Sequence, residues 1–327
     1  MNLETSTPSF EFENKIQRVF IIGVSSYIGS ALAIHLRDDF EVFGTYFTTP
    51  TRIDGVTSLP LDCYDGNEIL AQNKRYSPDA IIFCAGFNDK VRCQLEPGKA
   101  EALNFNAAAI FFKLLASKMR FIYFSTDEIF AGDPSNAGPF SEQDTASPSS
   151  VWAKTKFQGE SLATHHKAFT ATFRLGKVYG ETMGCPLYPK QNWINSVSKQ
   201  LIEGEEVPAR INQIRSYTYI GDIARSVKNY LNAHNKPTAL YNLASTKSYS
   251  EHDFISAYAQ TFKLDTNLIK KTKYTPPLPR EGYPEPLNCS LNSGAIKDIY
   301  NFVPQNAEEG LLELKNRLHQ GWTKKWS

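Results

Sequence analysis

The sequence has few cysteines for its length, and they form no pattern typical of a disulfide framework. There are five in 327 residues, and no C-x-x-C pair occurs among them. An odd number of scattered thiols suits a reducing compartment better than disulfide pairing. We therefore expect no metal site and free thiols at these positions: Cys63, Cys84, Cys93, Cys185 and Cys289.

The sequence also lacks an excess of charge, a leader segment and a long apolar run. Lys and Arg number 35 against 34 Asp and Glu, so the net charge of +1 favours neither nucleic acid nor an anionic membrane as a partner. The first sixteen residues are polar and acidic, which argues against a signal peptide. No apolar stretch approaches the roughly 20 residues that span a bilayer. We expect a cytoplasmic protein without nucleic-acid or membrane partners.

Strand and helix patterns alternate along the chain. Its 41% hydrophobic residues suffice for one large domain or two joined ones. Short apolar runs predict strands at Arg18–Ile22, Glu41–Tyr46, Leu59–Asp62, Ala80–Cys84, Arg120–Ser125, Thr170–Leu175 and Ala239–Leu243. Amphipathic periodicity predicts helices at Ile28–Asp38, Asn67–Tyr76, Lys99–Met119, Val151–His166, Trp193–Glu203, Asp222–Asn232, Glu251–Phe262 and Asn306–Gln320. The alternation predicts an α/β protein with a doubly wound parallel sheet.

The two halves of the chain differ in regularity, which suggests a division into domains. We predict a polar tail over residues 1–16 and a sheet domain over 17–180. Residues 221–245 are expected to return to this sheet. A smaller C-terminal domain, which would act as a lid, is predicted from 181–220 and 246–327.

A glycine turn follows the first strand. Gly23 permits a sharp turn, and Gly29 lets the next helix lie close to the sheet, so that its amides and positive dipole end would face a diphosphate. The pattern is G-x-x-S-x-x-G, with a serine where a dinucleotide fingerprint has its middle glycine. A strand-to-helix turn without a ligand is the alternative. The candidate cofactor-binding residues are Gly23, Ser25, Ser26, Tyr27, Ile28 and Gly29.

The end of the second strand carries no acid to bind the adenosine ribose. Hydroxyl residues and Arg52 stand there instead, which favours NADP over NAD because an arginine tolerates a 2′-phosphate better than a carboxylate does. Arg52 is equally consistent with a solvated loop. Asp62, after the third strand, is a candidate to meet the adenine or an ordinary turn residue.

Further motifs resemble one enzyme family over residues 18 to about 318. The chain is similar to extended short-chain dehydrogenase/reductases, in particular dTDP-4-dehydrorhamnose reductases and their relatives that act on nucleotide sugars. The resemblance rests on the glycine turn, Cys84–Gly86, Asn104, Phe124–Asp127, Pro139–Glu142, Lys154–Glu160, Arg174, Val178–Gly180 and Arg215–Asp222.

The resemblance implies a Rossmann-type fold, bound NADP or NAD, and a catalytic set of Thr, Tyr and Lys. Thr126 would hydrogen-bond the sugar carbonyl, and Lys156 would hold the nicotinamide ribose. The tyrosine position, however, is Trp152, whose indole donates a hydrogen bond but neither gives up nor takes a proton. Further cofactor contacts are implied at Cys84, Ala85, Gly86 and Asn104, and substrate contacts at Asn88, Tyr179 and Arg215.

Two adjacent acids depart from the reductase pattern. Asp127 and Glu128 resemble the acid and base of nucleotide-sugar 4,6-dehydratases, and neighbouring carboxyls can be driven to different pKa values. The alternative is that both bind loop amides or sugar hydroxyls without proton transfer. Arg215 would clamp the substrate diphosphate or form an interdomain salt bridge.

The sequence leaves three functions open. The first is a reductase acting on a nucleotide-activated 4-keto sugar through an atypical active site. The second is a catalytically silent dinucleotide-binding regulatory or scaffolding subunit, similar to a regulatory subunit of methionine adenosyltransferase. The third is a nucleotide-sugar dehydratase or epimerase. Relatives pair two long helices in a homodimer, here Lys99–Met119 and Val151–His166, or bind a protein partner.

Overall fold

The computed structural model describes residues 16–114, 119–130, 138–165, 169–181, 193–233, 238–275 and 283–319. Its strands are β1 Arg18–Ile22, β2 Glu41–Tyr46, β3 Val56–Pro60, β4 Ala80–Phe83, β5 Arg120–Thr126, β6 Phe169–Leu175, β7 Lys177–Tyr179, β8 Val207–Arg210, β9 Ile214–Tyr219, β10 Ala239–Leu243, β11 Ser248–Ser250 and β12 Ile269–Thr272. Its α-helices are α1 Tyr27–Leu36, α2 Gly66–Tyr76, α3 Lys90–Leu95, α4 Pro97–Glu101, α5 Ala107–Leu114, α6 Val151–His165, α7 Trp193–Ile202, α8 Ile220–Asn232, α9 Glu251–Phe262, α10 Gly294–Tyr300 and α11 Ala307–His319.

Seven parallel strands form the central sheet, in the order β10-β6-β5-β4-β1-β2-β3. In register, Val19 of β1 lies beside Val42 of β2 on one side and Ala80 of β4 on the other. The strand order therefore reverses between β1 and β4, and a crevice opens at the carboxyl ends of the strands at such a switch point. The predicted doubly wound, Rossmann-type sheet is confirmed.

Side chains of β1 alternate between two apolar cores. Ile21 belongs to the core that contains Leu32 of α1. Ile22 belongs to the core that contains Phe111 of α5. Because successive strand residues point to opposite faces, helices cover both faces of the sheet, as a buried parallel sheet requires.

Two predicted elements differ from the observed ones. The third strand was placed at Leu59–Asp62, but β3 is Val56–Pro60 and pairs only with β2. A proline is tolerated in such an edge strand. The helix predicted at Lys99–Met119 is helical from Pro97 to Leu114, as α4, a π-helical turn at Ala102–Asn106, and α5. The π-helical turn is the difference, and residues 115–118 lie outside the described residues.

The second half of the chain adds small sheets to the central one. β9 lies between β7 and β11, and β8 pairs with β12. Tyr217 of β9 stacks on Phe254 of α9 with ring centres 3.8 Å apart. β10, within the predicted return at 221–245, pairs in parallel with β6. The assignment of 181–220 and 246–327 to a separate domain stays a prediction, and residues 1–15 of the predicted tail lie outside the described residues.

The described cysteines agree with the expectation of free thiols. Cys63, Cys84, Cys93 and Cys289 are free thiols, and Cys185 lies outside the described residues. Within the described ranges, no helix combines the length and apolar character needed to cross a membrane.

A buried ion pair fixes α6 against the sheet. Glu160 of α6 accepts three hydrogen bonds from Arg174 of β6, and the shortest is 2.6 Å from Nη2. Both side chains are less than 5% exposed. Removing one partner would leave the other charge buried and uncompensated.

Glu160→Ala is therefore expected to lower the free energy of unfolding by about 3 to 5 kcal/mol, measured by urea denaturation. Glu203→Ala is the control, because Glu203 pairs with Lys199 at 3.7 Å on an exposed surface and such pairs contribute about 1 kcal/mol or less. Replacing Glu160 and Arg174 together by Met should cost less than Glu160→Ala. Equal losses for the two single variants would contradict this role.

Candidate functional site

The turn after β1 leaves no space for a side chain at its two glycines. Gly23 has φ +86°, and a Cβ built there would lie 2.8 Å from the backbone nitrogen of Ala85. A Cβ on Gly29 would lie 2.3 Å from the carbonyl oxygen of Gly23. The turn, α1 and the segment after β4 are thus in backbone contact, which only glycine allows at these two positions.

Ser26 caps α1. Its backbone is extended, with φ −76° and ψ 161°, and its Oγ accepts a hydrogen bond of 3.0 Å from the Gly29 amide. This is the usual role of an N-cap serine. The residue that departs from the glycine fingerprint therefore satisfies one amide at the helix N-terminus.

Two adjoining cavities lie along the carboxyl edge of the sheet. One has a volume of about 130 Å³ and the other about 220 Å³. Cys84 and Ala85, which follow β4, line both. We call the two together the cleft. It runs between the glycine turn and α6, the two segments from which the sequence predicts a dinucleotide site.

Most of the predicted cofactor residues line the cleft. The smaller cavity is lined by Ile28, Asn88, Thr126, Trp152 and Lys156 in addition to Cys84 and Ala85. The larger cavity is lined by Gly23, Ser25, Ser26, Asp62 and Gly86. Thr45, Phe47 and Tyr64 also line the larger cavity, and Phe47 is 68% exposed.

The smaller cavity contains buried polar atoms without hydrogen-bond partners. The Oγ of Ser125 and the Nε1 of Trp152 have no partner among the described residues, and both residues line the cavity. An unpaired buried polar group costs about 1–3 kcal/mol. These two atoms would be satisfied by a polar ligand in the cavity.

Lys156 is buried in the same cavity. Its Nζ lies 4.4 Å from the centre of the Tyr123 ring. Burial lowers its pKa to about 8, while the nearby Cys84 and Glu160 act in the opposite direction. This ammonium therefore releases its proton more readily than that of an ordinary lysine.

Asn104, on the π-helical turn, holds the loop that borders the cleft. Its Oδ1 accepts a hydrogen bond of 2.8 Å from the Phe87 amide, and its Nδ2 donates to the Phe87 carbonyl and to Thr155 Oγ1. The Tyr123 hydroxyl donates to the Asn104 carbonyl. Asn104 thus joins the loop after β4 to α6 and does not itself line the cleft.

A cluster of buried charges lies beside the cleft. Arg215 of β9 donates a hydrogen bond of 2.6 Å from Nη2 to Glu128 Oε1 and lies 3.9 Å from Asp127. Lys90 of α3 also pairs with Glu128 Oε1. Cys289 donates through Sγ to Asp127 Oδ2 at 3.1 Å. We call these five residues the charge cluster.

The two acids of this cluster have pKa values displaced in opposite directions. Burial raises the pKa of Asp127, against the opposing effect of Arg215. Burial also opposes ionisation of Glu128, but the charges of Lys90 and Arg215 outweigh it and lower the pKa of that carboxyl. Glu128 is therefore the charged member of the pair, and Asp127 is the member that holds a proton more readily.

Several residues singled out in the sequence line neither cavity. Arg52 is exposed. Tyr179 is fully buried beside Phe254 with ring centres 4.9 Å apart, so its hydroxyl is not placed to replace the missing tyrosine. The others are Tyr27, Gly29, Asn104, Asp127, Glu128 and Arg215. Their predicted roles in binding or catalysis stay predictions.

Sequence reasoning assigned no individual role to three residues of this region, although the first of them, Ser125, lies within the Phe124–Asp127 motif. Ser125 adjoins Thr126 at the end of β5, so the strand terminus itself was a signal. Lys90 lies 4.7 Å from the Trp152 ring centre, and Cys289 contacts Asp127 from 162 residues away. No local pattern indicates the last two. Within the described ranges, His, Cys, Asp and Glu form no group of three or more that could hold a metal ion.

Comparisons with known proteins agree with this geometry. The family model described as the RmlD substrate binding domain matches residues 17–320. The spore coat polysaccharide biosynthesis protein SpsK of Bacillus subtilis is 23% identical over 301 residues, 90% of this chain and 96% of that protein. Methionine adenosyltransferase 2 subunit beta of Danio rerio is 22% identical over 263 residues, 79% of this chain and 78% of that protein.

Solved structures share the fold. The dTDP-4-dehydrorhamnose reductase of Bacillus anthracis, in complex with NADP, superposes with a TM-score of 0.73 at 18% identity, covering 92% of this chain and 99% of that one. Structural neighbours of the chain are solved with NADP or NAD bound.

The close approach of Gly23 to the Ala85 backbone predicts how a substitution affects stability. Gly23→Ala should destabilise the fold more than Gly204→Ala, measured as the free energy of unfolding in urea. Gly204 also has positive φ, +77°, but has nothing within 4 Å of a built Cβ. Both variants carry the backbone strain of about 1 kcal/mol or more, and only Gly23→Ala adds the clash with Ala85. Similar losses for both would show that the contact between the turn and the segment after β4 is unimportant.

Proposed function

The chain belongs to the RmlD substrate binding domain family of extended short-chain dehydrogenase/reductases, and on that basis we propose that it is an NAD(P)-dependent reductase of a nucleotide-activated 4-keto sugar. The observation that carries the proposal is the cleft between the glycine turn and the lysine-bearing helix. Its two cavities meet at Cys84 and Ala85, and its inner end holds Lys156 with two unpaired polar atoms.

The residues of the cleft fit a dinucleotide. Gly23, Ser25 and Ser26 line the larger cavity, where a diphosphate would lie near the positive end of α1. Thr45, Asp62 and Phe47 would surround the adenosine. Lys156 would hold the nicotinamide ribose, and the hydroxyl of Ser125 would bond the polar edge of the ring system. When bound, such a cofactor supplies a hydride.

Thr126 is the candidate hydrogen-bond donor to the sugar carbonyl. Its hydroxyl donates a hydrogen bond of 3.1 Å to Asp127 Oδ1 and accepts one from the Glu128 amide, so its proton would have to turn from Asp127 to the substrate. Trp152 takes the tyrosine position, and its free N–H would donate to the substrate without transferring a proton.

The charge cluster favours a reductase over a dehydratase. Asp127 and Glu128 line neither cavity, and Glu128 is already paired with Arg215 and Lys90. A carboxylate held in this way is poorly placed as the base of an elimination, although the opposite pKa shifts are of the right kind. For the same reason, Arg215 would have to leave Glu128 before clamping a diphosphate. We propose that this pair joins the two halves of the chain.

A silent regulatory subunit is the second candidate. Trp152 favours it, because loss of a positioned general acid removes a factor of about 10² to 10⁴ in rate. A relative described as a subunit of methionine adenosyltransferase also matches most of the chain. Such a function would involve a protein partner, or a second copy of the chain in a homodimer.

Binding of the cofactor is the first prediction. Titration of the protein with NADPH or NADH should shift the nucleotide's fluorescence, and Ala85→Leu should weaken binding at least tenfold because Ala85 lines both cavities. Ala257→Leu is the control, since Ala257 is a half-buried residue of α9 that lines neither cavity. No binding at millimolar nucleotide would contradict both candidate functions, and equal binding by Ala85→Leu would contradict binding in the cleft.

Turnover separates the two candidates. Trp152→Tyr should raise the rate of NADPH oxidation with a dTDP-4-keto-6-deoxy sugar by up to about 10²-fold, because it restores a general acid. Phe157→Tyr, one turn further along α6 and half-buried against a separate core, is the control and should leave the rate unchanged. If neither the natural protein nor Trp152→Tyr turns over while both bind NADPH, the regulatory function is favoured.

A further inference from the structure

We propose that the Lys156 ammonium gives the sugar carbonyl its proton directly, in place of the absent tyrosine. The inference rests on the proposed reductase function and assigns Lys156 a role beyond holding the ribose. It follows from where the side chain lies and from what surrounds it.

Lys156 and Trp152 share one face of α6. They are four residues apart, which places side chains on the same side of a helix, and both line the smaller cavity together with Thr126 and Ser125. The indole N–H donates a hydrogen bond but does not release its proton. The lysine is the ionisable group of this cavity that can carry a transferable proton toward a ligand bonded by Thr126.

No described residue of the protein accepts a hydrogen bond from the Lys156 ammonium. Among the described residues, its Nζ has no hydrogen-bond acceptor, and it faces the Tyr123 ring at 4.4 Å. An aromatic face stabilises a cation without accepting a proton. The ammonium hydrogens are therefore available to a ligand in the cavity.

The other titratable groups around Lys156 are not placed to donate a proton to the ligand, so Lys156 is the proton donor. Burial raises the pKa of Cys84 and of Tyr123, so both stay protonated. Glu160, one turn along α6, is compensated by three hydrogen bonds from Arg174. With its pKa lowered to about 8 by burial, the Lys156 ammonium is a stronger acid than an ordinary lysine and lies in the range suited to general acid catalysis near neutral pH.

The step balances with a hydride donor and one proton. A bound reduced nicotinamide would supply a hydride, which is two electrons and a hydrogen nucleus, to the carbonyl carbon and would itself be oxidised. The carbonyl π pair moves to oxygen, which forms an O–H bond with a proton from Lys156 Nζ. The ketone is reduced to a secondary alcohol, and the neutral amine regains a proton from solvent.

Lys90 is the other ammonium near Trp152, and it fits this role less well. Its Nζ lies 4.7 Å from the indole ring centre but is paired with Glu128. It does not line the smaller cavity. A proton taken from Lys90 would leave the buried Glu128 with one fewer compensating charge, which opposes the transfer.

Lys156→Arg separates proton donation from charge. Arginine keeps the positive charge that would hold the ribose but does not release a proton at accessible pH. We expect NADPH affinity to change by less than about threefold and the rate of 4-keto sugar reduction to fall by about 10² to 10⁴. Lys156→Met should lose both. Lys154→Arg, an exposed change on the same helix, should alter neither.

Two further measurements test the acid itself. In protein labelled with ¹³C-lysine, the Cε resonance that disappears in Lys156→Arg should titrate with a midpoint near the pKa of about 8, and the reduction rate should fall as pH rises through that value because the acid loses its proton. Adding Trp152→Tyr to Lys156→Arg should recover turnover by supplying a new donor.

The outcomes are distinguishable. Turnover by Lys156→Arg at the natural rate, or a Lys156 titration near the ordinary lysine value of about 10.4, overturns the inference and leaves the reductase proposal standing. Absence of 4-keto sugar reduction by the natural protein, despite NADPH binding, overturns the proposed function and this inference together.

Discussion

The cleft depends on a backbone contact that excludes side chains. At Gly23 the turn after β1 meets the backbone of Ala85, and at Gly29 the first turn of α1 meets the carbonyl of Gly23. A methyl group at either place would push the segments apart. Because the strand order reverses between β1 and β4, this contact lies where the edge of the sheet opens, and the cleft forms along it.

Charge is distributed unevenly around this cleft. Glu160 with Arg174, and Glu128 with Arg215, are buried ion pairs, and the half-buried Lys90 also pairs with Glu128. Such pairs contribute little net stability, but they are costly to break, so they hold α6 on the sheet and β9 against the end of β5. Lys156 is buried and, among the described residues, forms no salt bridge with a carboxylate. Burial without such a partner lowers its pKa.

The sequence was sufficient to predict what depends on local pattern. The buried runs at Arg18–Ile22, Glu41–Tyr46 and Ala239–Leu243 are strands with the predicted bounds, because a parallel strand covered on both faces is continuously apolar. Five strands of the second half were not predicted: β7, β8, β9, β11 and β12. Four of them have only three or four residues, and segments this short are stabilised by distant pairing and not by their own periodicity. The π-helical turn was also missed, because its backbone is held by contacts of Asn104 with Phe87 and Thr155.

The candidate site likewise combines residues that local sequence patterns predict with contacts between distant residues that they do not. The glycine turn, Thr126 and Lys156 were identifiable from motif and order along the chain. An ion pair of Arg215, here with Glu128 87 residues away, was one of two interpretations left open by the sequence, and burial of Tyr179 was not foreseen.

A crystal structure of the protein in the presence of NADP tests the central claim most directly. The account predicts a dinucleotide spanning both cavities, with its diphosphate at the turn of Gly23 to Gly29 and its nicotinamide beside Lys156; a nucleotide bound elsewhere, or an empty cleft at saturating NADP, would contradict it.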